Sequence, residues 1–117
     1  MKTILIIDDE SYFSKSVEEA LDPKKYKVLA AENGEQGLRM IGESNPDAVL
    51  LDLNMPQMSG MEVLKKLDTK KIPVIITSNL SSRKTVSDGV ALGVRGYLIK
   101  SNESPSSIAD TLESLFK

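Results

Sequence analysis

The chain contains no cysteine and no histidine. The first absence excludes disulfides, thiol nucleophiles and thiolate metal sites. The second excludes imidazole general bases, Ser-His-Asp triads and imidazole metal ligands. No apolar run approaches the roughly 20 residues that span a bilayer. The opening MKTILII is too short for a signal peptide and runs straight into acids, so a cytoplasmic location is expected. Neither charge dominates: 15 basic residues face 17 acidic ones, for a net charge of -2. That leaves no basic field for nucleic acid or an anionic membrane. No linker, low-complexity tract or repeat breaks the 117 residues, and one domain over 1–117 is expected.

What is present is ordinary globular composition, 40% apolar and 27% charged, in a chain long enough to bury about two-thirds of its unfolded surface. The pattern alternates. Ile4 to Ile7 is a β-branched run that stops at Asp8-Asp9. Phe13, Val17, Ala20 and Leu21 then recur at helical spacing. Tyr26 to Ala30 reads as a second strand and Gly34 to Ile41 as a second helix, with Leu38 and Ile41 on one face. "SNPD" at 44–47 is a break. Ala48 to Leu51 reads as a third strand. Gly60 to Leu67 reads as a helix with Met61, Leu64 and Leu67 in step. Pro73 heads a strand over Val74 to Thr77. Val86 and Val90 mark a fourth helix closed by Gly93. Gly96 to Ile99 reads as a fifth strand. Ser104-Pro105 opens the last helix, with Ile108, Leu112 and Leu115 as its stripe. Strands 1, 3 and 4 are apolar on both faces, as a parallel sheet covered by helices requires. Right-handed crossovers then give an open, doubly wound α/β sheet. The order 2-1-3-4-5 follows from placing the most apolar runs, those ending at Asp8 and Asp52, near its centre.

In such sheets ligands bind beyond the carboxyl ends of the strands. Strand 1 ends in Asp8-Asp9, strand 3 in Asp52, strand 4 in Thr77-Ser78 and strand 5 in Lys100. Crowded carboxylates repel one another unless a cation sits among them. Hard oxygen ligands without His or Cys favour Mg²⁺ or Mn²⁺. A divalent cation, an ammonium and a hydroxyl around one carboxylate form a place to stabilise a phosphoryl group. Aspartate is a competent nucleophile for one, giving an acyl phosphate. Each residue alone has a plainer reading: a turn or cap for Asp8 and Asp9, a solvated charge for Lys100, a loop hydroxyl for Ser78, strand packing for Tyr97. Their joint position at one sheet edge is what favours chemistry.

These residues carry a resemblance over essentially the whole chain. It resembles the receiver domains of bacterial two-component response regulators, whose fold is flavodoxin-like, and is similar in architecture to the single-domain chemotaxis regulators. "IIDDE" at 6–10 matches the acidic pair, and "AENGEQGL" at 31–38 the start of the second helix. "DLNMPQMSG" at 52–60 matches the segment around the phosphorylated aspartate. "PVIITS" at 73–78 ends on the hydroxyl position, and "GYLIK" at 96–100 supplies the aromatic and the lysine. The resemblance implies that Asp52 accepts a phosphoryl group from a phosphohistidine on a sensor kinase or phosphotransfer protein. It implies Mg²⁺ held by Asp9 and Asp52, by Asp8 partly through water, and by the backbone carbonyl of Asn54. Lys100 and Ser78 would contact the phosphoryl oxygens. Ser78 and Tyr97 would switch the surface of helix 4, strand 5 and helix 5 for a downstream protein target.

The sequence departs from the family pattern in four places. Asn79 stands where a small alanine is usual, and could narrow access to Asp52. Leu80 offers no polar group to position a water for dephosphorylation. Gly37 replaces a common alanine. Ser101 follows the lysine where proline is common. A cis bond before a non-proline residue costs about 2.5–4 kcal/mol, against about 0.5–1 before proline. A trans bond is therefore expected, with the turn-prone 101–104 rerouted.

The expected function is a stand-alone phosphorylatable receiver, monomeric or weakly dimeric. It would be a self-catalysed phosphoryl acceptor with at most slow autodephosphorylation, not a turnover enzyme. The charges Arg83, Lys84 and Asp88 on helix 4 do not by themselves specify a dimer. An aspartate-nucleophile phosphatase would need a cap for which 117 residues leave no room. A flavodoxin-like nucleotide binder would need a Gly-rich loop after strand 1. The principal alternative is a pseudo-receiver that only docks proteins, which the intact Asp8, Asp9, Asp52 and Lys100 set opposes.

Overall fold

The apolar runs fold as strands because both of their faces are covered. The computed structural model describes residues 1–55, 57–79 and 83–117, the side chains of 83–85 excepted. Its elements are β1 (Lys2–Ile7), α1 (Ser11–Ala20), β2 (Tyr26–Ala31), α2 (Gly34–Ser44), β3 (Ala48–Asp52) and α3 (Gly60–Lys65). Then come β4 (Val74–Ser78), α4 (Arg83–Ala91), β5 (Gly96–Ile99), a 3₁₀ turn (Lys100–Asn102) and α5 (Pro105–Leu115). The sheet order is β2-β1-β3-β4-β5, and every pairing is parallel. Among the described residues no helix is long and apolar enough to cross a membrane.

Strand alternation divides the core in two. Ile4, Ile6, Leu50 and Ile75 face α1 and α5, where Phe13, Val17, Ile108 and Leu112 meet them. Leu5, Ile7, Val49, Leu51, Val74 and Ile76 face the other way, against Ile41, Val63 and Leu64. Two packed layers of helix thus clamp the sheet, and the strand ends are left as its open edge.

Two expectations about helices need correction. Ala20 is exposed; the buried face of α1 runs through Phe13, Ser14 and Val17 to Leu21. The helix read to Leu67 ends at Lys65, because the amides of Lys66 and Leu67 turn back to the carbonyls of Val63 and Leu64, the tightened spacing of a last turn. Val86 and Val90 lie in α4 as expected, with Val90 63% exposed. Helix α4 approaches the sheet through buried Gly89, where a Cβ would come within 2.9 Å of Ile76 Cδ1. Val90, one residue on, is rotated toward solvent. Gly93 closes that segment in the left-handed region, at φ 88°, where glycine is favoured. Ser104 caps α5 as expected, in a reciprocal box with Ser107.

Candidate functional site

Strand register sets the site. Ile7 lies opposite Leu51, so Asp8 and Asp52, the next residues, leave the sheet side by side. Asp52 lies opposite Thr77, and Ser78 lies opposite Ile99. Asp8, Asp52, Ser78 and Lys100 therefore fall within about one residue step of a single row at the carboxyl edge. Asp8, Asp52 and Ser78 are buried, Lys100 and Tyr97 half-buried, Asp9 exposed.

The Lys100 ammonium lies 2.7 Å from Asp8 Oδ2, 2.9 Å from Glu10 Oε1 and 3.4 Å from Asp52 Oδ2. Its other flank rests over the Phe13 ring, 4.6 Å from the centroid, a cation–π contact. The loops fix the carboxylates. The Glu10 amide donates to Asp8 Oδ1 at 2.9 Å, and the Asn54 amide to Asp52 Oδ1 at 3.1 Å. Helix α3 lies so close behind Asp52 that a Cβ on Gly60 would overlap the Asp52 carbonyl oxygen.

Burial pushes the Asp52 carboxyl up to about 6; the Asp8 charge adds to this, while the Asn54 amide and Lys100 oppose it. Burial also raises Asp8, against the pull of Lys100 and the Glu10 amide. Burial alone would lower Lys100, but its contacts with Asp8 and Glu10 prevail and raise it. Glu10 is lowered, first by the Tyr12 hydroxyl and then by Lys100. Tyr97 is raised by burial and by the Asp52 charge, opposed by a hydrogen bond with Ser78. Shifts of this kind, produced by burial and by specific charge partners, cluster at functional sites.

Asp8, Asp9, Glu10 and Asp52 each offer a carboxylate oxygen within 4.8 Å of the others. An all-oxygen set of this density suits a hard divalent cation. The structure therefore brings together Asp8, Asp9, Asp52, Ser78 and Lys100, with Asn54 bonded to Asp52 and Tyr97 to Ser78. Glu10 and Tyr12 escaped sequence reasoning, although "IIDDE" contains Glu10. Phe13 enters the sequence pattern only through its helical spacing. Asn79 is exposed, and the peptide after Lys100 is trans, continuing into the 3₁₀ turn. Pro56 and Leu80 lie outside the described residues, as do the side chains of Arg83 and Lys84.

The response regulator receiver domain pattern matches residues 4–113. The chain is 34% identical over 107 residues to the transcriptional regulatory protein YdfI of Bacillus subtilis, covering 89% of this chain and 50% of that protein. It is 37% identical over 105 residues to the nitrate/nitrite response regulator protein NarL of Escherichia coli, covering 86% and 49%. It thus spans about half the length of these curated relatives. The structure of the chemotaxis protein CheY4 of Vibrio cholerae matches with a TM-score of 0.87 at 27% identity, over 97% of this chain and 98% of that one.

Proposed function

The chain belongs to the response regulator receiver family, and from that premise we propose that Asp52 is its phosphoryl acceptor in a two-component relay. The observation that carries this reading is the row of Asp8, Asp52 and Lys100. It places a buried carboxylate within 3.4 Å of an ammonium that a second buried carboxylate also holds.

Asp8, Asp9 and Asp52, with the Asn54 carbonyl, would hold Mg²⁺; Mn²⁺ fits the same donors. The bound cation supplies charge that offsets the phosphoryl oxygens and the crowded carboxylates. The chain's own part is positioning. The Asn54 amide occupies Asp52 Oδ1, which directs the nucleophilic role to Oδ2, the oxygen facing Lys100. That oxygen attacks phosphorus, a new carboxyl O–P bond forms, and the donor's P–N or P–O bond breaks with its electron pair leaving on the donor. Lys100 and the Ser78 hydroxyl then hold phosphoryl oxygens by charge-assisted hydrogen bonds.

The donor is a phosphohistidine on a sensor kinase or phosphotransfer protein. The phosphoryl group adds about 1.5–2 negative charges and three strong acceptors. Ser78, once drawn to it, releases its hydrogen bond to Tyr97, and the β5 face changes for a downstream protein. The chain acts in the cytoplasm as an acceptor, with no turnover of its own. Incubation with Mg²⁺ and acetyl phosphate, followed by intact mass, tests the reading. One phosphoryl mass on the wild type and none on Asp52→Ala is expected; equal labelling of both overturns it.

A further inference from the structure

Lys100 has three ammonium protons and three carboxylates around it, but the three contacts differ in kind. Asp8 Oδ2 is nearest, at 2.7 Å, and pulls hardest on the ammonium from the buried end of β1. Asp52 Oδ2 at 3.4 Å is beyond ordinary hydrogen-bond length. Glu10 Oε1 accepts a hydrogen bond from it at 2.9 Å. Glu10 would ordinarily be loose, since its side chain is 38% exposed. It is fixed by the Tyr12 hydroxyl, which donates to the other carboxylate oxygen, Oε2, at 2.7 Å. Tyr12 is itself 70% exposed, too open for packing to be its main contribution. Its hydroxyl is what engages the site.

We propose that Glu10, oriented by Tyr12, is a positioning residue that holds the Lys100 ammonium back from Asp52 and thereby sets the rate of phosphoryl acceptance. The inference rests on the acceptor reading above. Asp8, Asp9 and Asp52 would hold the cation, and Asp8 so engaged would have a weaker claim on the ammonium. The Glu10 claim would stand, because Oε1 accepts from Lys100 while Oε2 is occupied by Tyr12. For Lys100 to reach the oxygens of an incoming phosphoryl group it must give up, or share, the Glu10 hydrogen bond. The Tyr12–Glu10–Lys100 chain is thus a brake in series with the chemistry. It is set by two residues at the start of α1 and released by none of the groups that do the transfer.

The test uses Glu10→Gln, Tyr12→Phe and the double variant, with acetyl phosphate at saturating Mg²⁺. In Glu10→Gln the charge on the acceptor is gone and the size kept, and acceptance should quicken by about threefold to tenfold, the scale of one partly exposed charge-assisted hydrogen bond. Tyr12→Phe removes no charge, so a through-space effect of Glu10 alone would leave it at wild-type rate. The brake predicts a rise of roughly twofold, the smaller loss of a neutral donor. Tyrosine acts only through Glu10, so the double variant should match Glu10→Gln. A second readout is independent of chemistry: the Lys100 Nζ resonance of the resting protein should shift, and its protons exchange faster, in both single variants. If the wild type gains no phosphoryl mass, the acceptor reading falls and the resonance decides the latch. If Tyr12→Phe leaves rate and resonance unchanged, or Glu10→Gln is no faster than wild type, the brake is overturned.

Discussion

At the scale of single residues, the site is held in tension by groups that would each prefer other surroundings. Asp52 is the clearest case. Its carboxyl moves from an ordinary 3.8 up to about 6 in the folded chain because it is buried. A carboxyl raised on folding binds more protons in the native state. Its contribution to stability is therefore complete below about pH 4 and is lost as pH rises through about 6. A shift of that size corresponds to about 3 kcal/mol between those limits. Asp52→Asn should accordingly melt higher than wild type at pH 7 without divalent cations, with the gap closing at pH 4. Millimolar Mg²⁺ should stabilise wild type and not the variant, by linkage. Thermal melts at the two pH values, with and without Mg²⁺, check both signs; a variant that melts lower at pH 7 contradicts them. Asp8, Asp52 and Lys100 were legible in the sequence because each ends a strand. The roles of Glu10 and Tyr12 were not, because Lys100 lies 90 residues from Glu10 and only the fold brings them together.

Among the elements, helix termini and glycines separate what the sequence shows from what it hides. Ser104-Pro105 announces α5 through a hydroxyl cap and a proline at the first turn, and the structure bears this out. The end of α3 and the tilt of α4 have no such local signal; both depend on which side chain meets the sheet. Gly37 shows the same dependence. The family often has alanine there, but here a Cβ would sit 2.5 Å from Ile7 Cδ1 and 2.8 Å from Cγ1. The isoleucine and the glycine are one packing solution, and Ile7 immediately precedes Asp8. Gly37→Ala gains about 0.5–1 kcal/mol of helix preference but overpacks the core, at a cost of about 1–3 kcal/mol. A net loss of roughly 1 kcal/mol is expected. Ile7→Val removes Cδ1, the nearest atom in that clash. The double variant should therefore be more stable than the sum of the single changes predicts. Strict additivity in urea unfolding would show that the two residues do not share the space.

For the whole molecule, the proposed switch would run from the carboxyl edge of the parallel sheet to the surface of β5 and α4. The sheet's two apolar layers are buried and packed, so a charge added at Asp52 would be felt mainly where a polar group can change partner. Ser78 is such a group: fully buried, one strand from Asp52, and hydrogen-bonded to Tyr97. Tyr97 in turn packs on the α2–α4 side of the core, with its Cδ2 3.9 Å from where a Cβ on Gly89 would be. On the proposed function, a phosphoryl oxygen that took the Ser78 hydroxyl would remove its bond to Tyr97. The ring and α4 would then settle differently, a two-state element biased from one end. Nuclear magnetic resonance with beryllofluoride and Mg²⁺ separates the two links. Wild type should show shifts at Asp52, at Tyr97 and along residues 86–91. In Ser78→Ala the shifts near Asp52 should persist while those of Tyr97 and 86–91 largely vanish. Tyr97→Phe should still be phosphorylated, and its resting spectrum should already move toward the activated one, since the Ser78 bond is absent from the start. Should Ser78→Ala carry the full set of distant shifts, the signal travels by another route, and the hydroxyl serves only the chemistry at Asp52.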